Sequence, residues 1–236
     1  MAQGRDFHEL EKKLGYSFKN SEYLLCALTH PSYSNEQRSR GIFQESYERL
    51  EFLGDAVLQT VISEYLYKTY SKRREGSLTS MRQRLVCEKT LAKIAAELDL
   101  NNYLYLGHGE EITDCRNRPK VLADCLEAII AALYLDFNNG TNDELSRTVL
   151  KLFYAKIEEI ANAQDDDYKS MLQQFSEQDG YSELRYDSVQ TGKPHEPEFT
   201  STAYINNNAV GEGTASSKKD AEMAAAKKAL ELFGII

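Results

Sequence analysis

The segment Tyr47-Glu48-Arg49-Leu50-Glu51-Phe52-Leu53-Gly54-Asp55-Ala56-Val57-Leu58 narrows the folds open to this chain more than any other stretch. Glu48, Glu51 and Asp55 stand at offsets of 0, 3 and 7. On a helix of about 3.6 residues per turn they share one face. Leu50, Phe52, Leu53, Ala56, Val57 and Leu58 lie among and after them and favour burial. Three like charges on one side of an apolar helix repel one another and resist desolvation. Something positive must offset that cost, and a divalent metal ion is the natural candidate.

A second acidic pair occurs in Val121-Leu122-Ala123-Asp124-Cys125-Leu126-Glu127-Ala128-Ile129-Ile130. Asp124 and Glu127 are spaced i, i+3, share a helix face and interrupt a nearly continuous apolar run. If the two helices pack side by side, Glu51, Asp55, Asp124 and Glu127 meet in one pocket. Periodicity alone does not make the helices neighbours. Hard divalent cations such as Mg²⁺ favour oxygen ligands and keep several waters. Two such ions roughly 3.5–4 Å apart can activate a water and stabilise the leaving oxygen in phosphodiester hydrolysis. The plainer alternative is solvated helix surface, its carboxylates paired with Arg49, Arg82 or Arg84.

The remainder of the chain separates into two patterns. Residues 1–163 read as all-α, with apolar residues at helical spacing over 7–14, 23–28, 47–70, 78–86, 90–98, 121–135 and 145–160. Breakers stand at Ser39-Arg40-Gly41, Gly76-Ser77 and Asn138-Asn139-Gly140. Residues 164–166 sit in a polar linker, Ala163-Gln164-Asp165-Asp166-Asp167. Residues 167–236 read as a small α+β unit of order α-β-β-β-α. A helix at 168–178 precedes alternating strands at 184–189, 198–205 and 209–213. Asn206-Asn207-Asn208 reads as a tight hairpin turn. An Ala-rich helix at 217–233 follows, with Ser216 or Ser217 as its N-cap.

Composition limits the setting. The 236 residues contain no apolar run of 18, so no membrane span is expected. Met1 to Tyr16 is charged and lacks the apolar centre of a signal peptide. Cys26, Cys87, Cys115 and Cys125 form no Cys-x-x-Cys pair, which fits reduced thiols in a cytoplasm. The net charge of −9 argues mildly against nucleic-acid binding, so any such role must rest on local patches. Residues 167–236 carry 7 Lys+Arg against 11 Asp+Glu and are themselves acidic.

The 47–58 segment resembles the signature of the ribonuclease III family. Leu28-Thr29-His30-Pro31-Ser32-Tyr33, Gly76-Ser77-Leu78-Thr79, Leu85-Val86 and Leu122-Ala123-Asp124 through Glu127-Ala128 match it in order. Residues 167–236 resemble the family's double-stranded RNA-binding domain, so the likeness covers essentially the whole chain. It implies a homodimeric, Mg²⁺-dependent endoribonuclease acting on double-stranded RNA, with Mn²⁺ able to substitute. Such an enzyme leaves 5′-phosphate and 3′-hydroxyl ends and processes ribosomal, messenger and transfer RNA precursors. It further implies metal ligation by Glu51, Asp55, Asp124 and Glu127, with Asp55 and Glu127 the most essential. Glu48 and Glu75 would support the site, Glu75 from a loop. Phe52, which physics alone would place in the core, would insert into a partner subunit. The departures are Tyr47 in place of a common Asn, a long loop from Ser34 to Glu45, and Pro119-Lys120 ahead of the second acidic helix. None removes a carboxylate.

The same resemblance implies an RNA surface. Ser170, Gln173 and Gln174 would reach 2′-hydroxyls and base edges in one minor groove, and His195 would enter the next. Lys218 and Lys219 open the last helix, where the dipole and free N–H groups also favour phosphate. Loss of a metal carboxylate would favour a binding-only protein on an inactive nuclease scaffold, and none is lost. A structural ribosome-associated protein is a second alternative, which a Mg²⁺-dependent cleavage assay separates.

Overall fold

Helix α8, Pro119–Asp136, organises the first half of the computed structural model because it is apolar on nearly every side. Twelve of its residues are buried, from Val121 to Asp136. Its neighbours are α4 (Glu48–Thr69), α6 (Glu88–Glu97) and α2 (Ser21–Ala27). Around them stand α1 (His8–Leu14), α3 (Pro31–Ser39), α5 (Glu75–Val86), α7 (His108–Ile112) and α9 (Asp143–Asn162). The chain divides into two compact units, Met1–Asn162 and Ala163–Ile236. The structure describes residues 6–137, 143–162, 168–178, 183–190 and 197–235. The expected breaker at 138–140 and the linker at 164–166 lie outside them.

Three features depart from the sequence reading. The expected loop from Ser34 to Glu45 is helical as far as Ser39. Pro31 opens α3 with its φ already set, and His30 caps it, its Nδ1 accepting the Ser32 N–H at 3.1 Å. Glu75 and the Gly76-Ser77 breaker lie inside the first turn of α5, so Glu75 is a helix residue and not a loop one. First-turn N–H groups lack helical partners anyway, and an acidic residue there suits the dipole. The third is the stretch 100–117, where α7 and 3₁₀ turns at Leu100–Asn102 and Cys115–Asn117 form without a periodic signal.

The second unit has the expected α-β-β-β-α order: α10 (Tyr168–Gln178), β1 (Leu184–Gln190), β2 (Phe199–Ile205), β3 (Asn208–Ala215) and α11 (Lys218–Leu232). The strands form one antiparallel sheet of order β1-β2-β3. Asn206 and Asn207, at φ 47° and 67°, make the two-residue β2–β3 turn in the left-handed region that Asn tolerates. The Ala-rich face of α11 lies directly on β3. A Cβ on Gly213 would come within 2.4 Å of the Ala225 nitrogen. Leu172, Ala203, Ile205, Ala226 and Leu230 are core residues of this unit.

Candidate functional site

Gly54 brings the two acidic helices together. A Cβ at this position would sit 1.8 Å from the Glu127 carbonyl oxygen, so α4 and α8 touch backbone to backbone. Glu51 lies one turn before Gly54 and Asp55 directly after it, so both sit on α4 close to its contact with α8, which carries Asp124 and Glu127. Glu51, Asp124 and Glu127 each offer a carboxylate oxygen within 4.8 Å of the others, and all three are half-buried. Asp55 stands outside that trio, its Oδ1 accepting from Gln59 Nε2 at 3.1 Å.

The electrostatics follow from this crowding. Burial, then the charges of Asp55, Asp124 and Glu51, push the Glu127 carboxyl up to about 7. Burial and then Asp124 also raise Glu51. Lys120 offsets part of the charge, its Nζ lying 3.2 Å from Asp124 Oδ1. Arg49 instead pairs with Glu45 at 3.6 Å, and Arg82 donates to Ser63 Oγ at 3.2 Å. The cation on the acidic cluster is therefore Lys120, which the sequence marked only as a departure. One exposed ammonium against three carboxylates leaves surplus negative charge, and an all-oxygen donor set suits a hard divalent ion. His30 and Tyr47 stand beside the cluster with ring centroids 5.7 Å apart. Burial lowers the His30 pKa, against the opposing pull of Glu110, Glu48 and Asp124.

The two acids expected to support the site are exposed. Glu48 is exposed and accepts from Ser46 Oγ at 2.9 Å. Glu75 is exposed and accepts from Thr79 Oγ1 at 2.7 Å. Phe52 is 83% exposed and Phe43 76% exposed. With Tyr23, Leu53 and Leu135 they line an apolar groove of about 870 Å³.

In the second unit Lys218 and Lys219 are exposed in the first turn of α11. Ser217 caps that turn, its Oγ accepting the Asp220 N–H at 3.2 Å. Gln173 and Gln174 lie on α10, and Gln173 Nε2 donates to Glu177 Oε1 at 2.7 Å. The Ser170 side chain and His195 lie outside the described residues. Glu222, half-buried on α11 and given no role by the sequence alone, holds Lys169 at 2.6 Å and stands 4.0 Å from Lys218. Lys227 Nζ lies 5.4 Å over the Tyr168 ring.

Comparison with known proteins matches both units. Residues 20–157 match the family model "Ribonuclease-III-like", and residues 168–232 match "Double-stranded RNA binding motif". The chain is 45% identical to "Ribonuclease 3" of Shouchella clausii over 230 residues, covering 97% of this chain and 86% of that one. It is 44% identical to "Ribonuclease 3" of Geobacillus thermodenitrificans over 226 residues, covering 95% and 90%. The nuclease domain of ribonuclease III from Campylobacter jejuni superposes with a TM-score of 0.57 at 36% identity, covering 69% of this chain and 100% of that one. A second structure of that domain, described for flexibility in the region involved in dimer formation, gives 0.56 at 38% identity, covering 62% and 95%.

Proposed function

The chain belongs to the ribonuclease III family and is a double-strand-specific endoribonuclease; from that premise we propose that Glu51, Asp55, Asp124 and Glu127 hold its divalent metal and carry the phosphodiester hydrolysis. The observation that carries the assignment is the meeting of Glu51, Asp124 and Glu127 oxygens within 4.8 Å on two packed helices. When bound, Mg²⁺, or Mn²⁺ in its place, would supply Lewis-acid polarisation of the phosphodiester and charge for the entering and leaving oxygens. The protein supplies the rest. Gly54 fixes the spacing of the helices, and burial keeps the carboxylates poorly screened. Glu127, raised to about 7, can hold or release a proton near neutral pH. Asp55 reaches the cluster by giving up Gln59. Glu48 and Glu75 act on the site from its rim.

Lys218 and Lys219 grip phosphates while Gln173, Gln174, Ser170 and His195 read the minor groove of A-form duplex. Two copies, joined through Phe52, cut the two strands and leave 5′-phosphate and 3′-hydroxyl ends with a short 3′ overhang. The substrates are precursors of ribosomal RNA, structured messenger RNA and transfer RNA. A bacterial cytoplasm is the setting; among the described residues no helix is long and apolar enough to cross a membrane.

Incubating the full chain with a long RNA duplex, in Mg²⁺ or in EDTA, tests the reading. Cleavage in Mg²⁺ only is expected, reduced at least about a hundredfold by Glu127→Ala, since even outer-shell losses at metal sites cost roughly 10–100-fold. Cleavage in EDTA, or undiminished cleavage by Glu127→Ala, would overturn the assignment.

A further inference from the structure

Lys120 stands where helix energetics disfavour a cation. It is the second residue of α8, and a helix N-terminus carries partial positive charge of its own. Its partner Asp124 follows four residues later, and a base preceding an acid is the poorer order for such a pair. The i, i+4 spacing brings Lys120 Nζ within 3.2 Å of Asp124 Oδ1, but the dipole and the order leave that pair little strength of its own. The acidic cluster adds to it. Asp124 is one of three carboxylates within 4.8 Å of one another, and the Lys120 charge also acts on Glu51 and Glu127. The Lys120 side chain is 71% exposed and that of Asp124 only 15%. The ammonium thus reaches in from solvent on a flexible four-carbon stem, which can swing away again.

We propose that Lys120 is a tethered counter-ion of the metal-free site, one that pairs with Asp124 until a divalent cation displaces it and so sets how tightly that cation is held. The inference rests on the metal-site reading given above. An ammonium and a divalent ion compete for the same carboxylate oxygens. A single and a double charge about 6 Å apart repel each other, through water, by an amount equivalent to roughly a tenfold change in affinity. Neutralising Lys120 removes that repulsion. It also leaves the metal-free carboxylates uncompensated, which favours the metal-bound form further.

Mn²⁺ binding to the full chain, without RNA, tests this by electron paramagnetic resonance of the free ion. Lys120→Met keeps the stem and loses the charge, and Lys120→Arg keeps the charge. The Met variant is expected to bind Mn²⁺ about tenfold more tightly than wild type, and the Arg variant about equally. In EDTA the Met variant is expected to melt below wild type and to recover when Mn²⁺ is added. Equal or weaker Mn²⁺ binding by Lys120→Met, or an unchanged melting temperature in EDTA, would overturn the proposal. If wild type binds no Mn²⁺, the metal site falls together with it. If wild type binds and Lys120→Met matches it, only the role of Lys120 falls.

Discussion

Glu127 holds its proton to about pH 7 because burial, and then three neighbouring carboxylates, disfavour its charged form. Its pKa in the folded protein lies above the ordinary value of 4.5, so the fold binds this proton more tightly than the unfolded chain does. The stability that results is complete below about pH 4.5 and is lost as pH rises through about 7. Glu127→Gln mimics the protonated state at every pH. In EDTA, wild type and Glu127→Gln are expected to be equally stable at pH 5. At pH 8 the Gln variant should be more stable by about 1–2 kcal/mol, discounted for the half-exposed position. Urea denaturation at both pH values measures the difference, and no gain at pH 8 would mean that Glu127 ionises without cost. At this scale the sequence is partly legible. Spacing alone puts Glu51 and Asp55 on one helix face. That Asp55 turns to Gln59 and that Lys120 reaches Asp124 depends on side-chain rotamers and interhelical distance, which periodicity does not encode.

Helices α4 and α8 are held apart only by the thickness of their backbones at Gly54, so this one residue controls the spacing of the acidic faces. Alanine is the better helix former by roughly 1 kcal/mol. Its methyl would nonetheless meet the Glu127 carbonyl, a backbone atom that no rotamer can move. Overpacking of this kind costs about 1–3 kcal/mol, and more where backbone must shift. Gly54→Ala is therefore expected to destabilise the protein by about 2 kcal/mol net and to lower duplex cleavage as Glu51 and Glu127 part. Urea denaturation and a cleavage assay read the two effects, and a variant as stable and active as wild type would show that the close contact is dispensable. The long elements were legible because they bury wide apolar faces: α8 is apolar on nearly every side, and α4 carries Leu50, Val57, Leu58, Val61 and Ile62 inward. Helices α3 and α7 were not. No large apolar residue of α3 is buried, and α7 buries none of its residues. Such helices are defined by caps and neighbours, and they leave no periodic trace.

The apolar groove beside Phe52 bears on the two-fold assembly proposed above. A single chain leaves Phe52 83% and Phe43 76% exposed next to Tyr23, Leu53 and Leu135. Aromatic side chains bury about 150–250 Å² each, and at about 25 cal/mol per Å² that exposure costs several kcal/mol per chain. Periodicity hid this, because an apolar residue on an amphipathic helix reads as core whether its cover comes from the same chain or another. In the proposed two-fold assembly both subunits present the same patch, so each Phe52 would enter the partner's groove and any change there would count twice. Fully burying a Phe gains roughly 1.5–3 kcal/mol, and two of them give about 3–6 kcal/mol of dimer stability. Phe52→Ala is accordingly expected to raise the dimer dissociation constant at least about a hundredfold while leaving helix content unchanged. Sedimentation equilibrium at micromolar concentration should find wild type dimeric and the variant largely monomeric. A monomeric wild type would contradict the assembly, and a variant that remains fully dimeric would remove Phe52 from its interface.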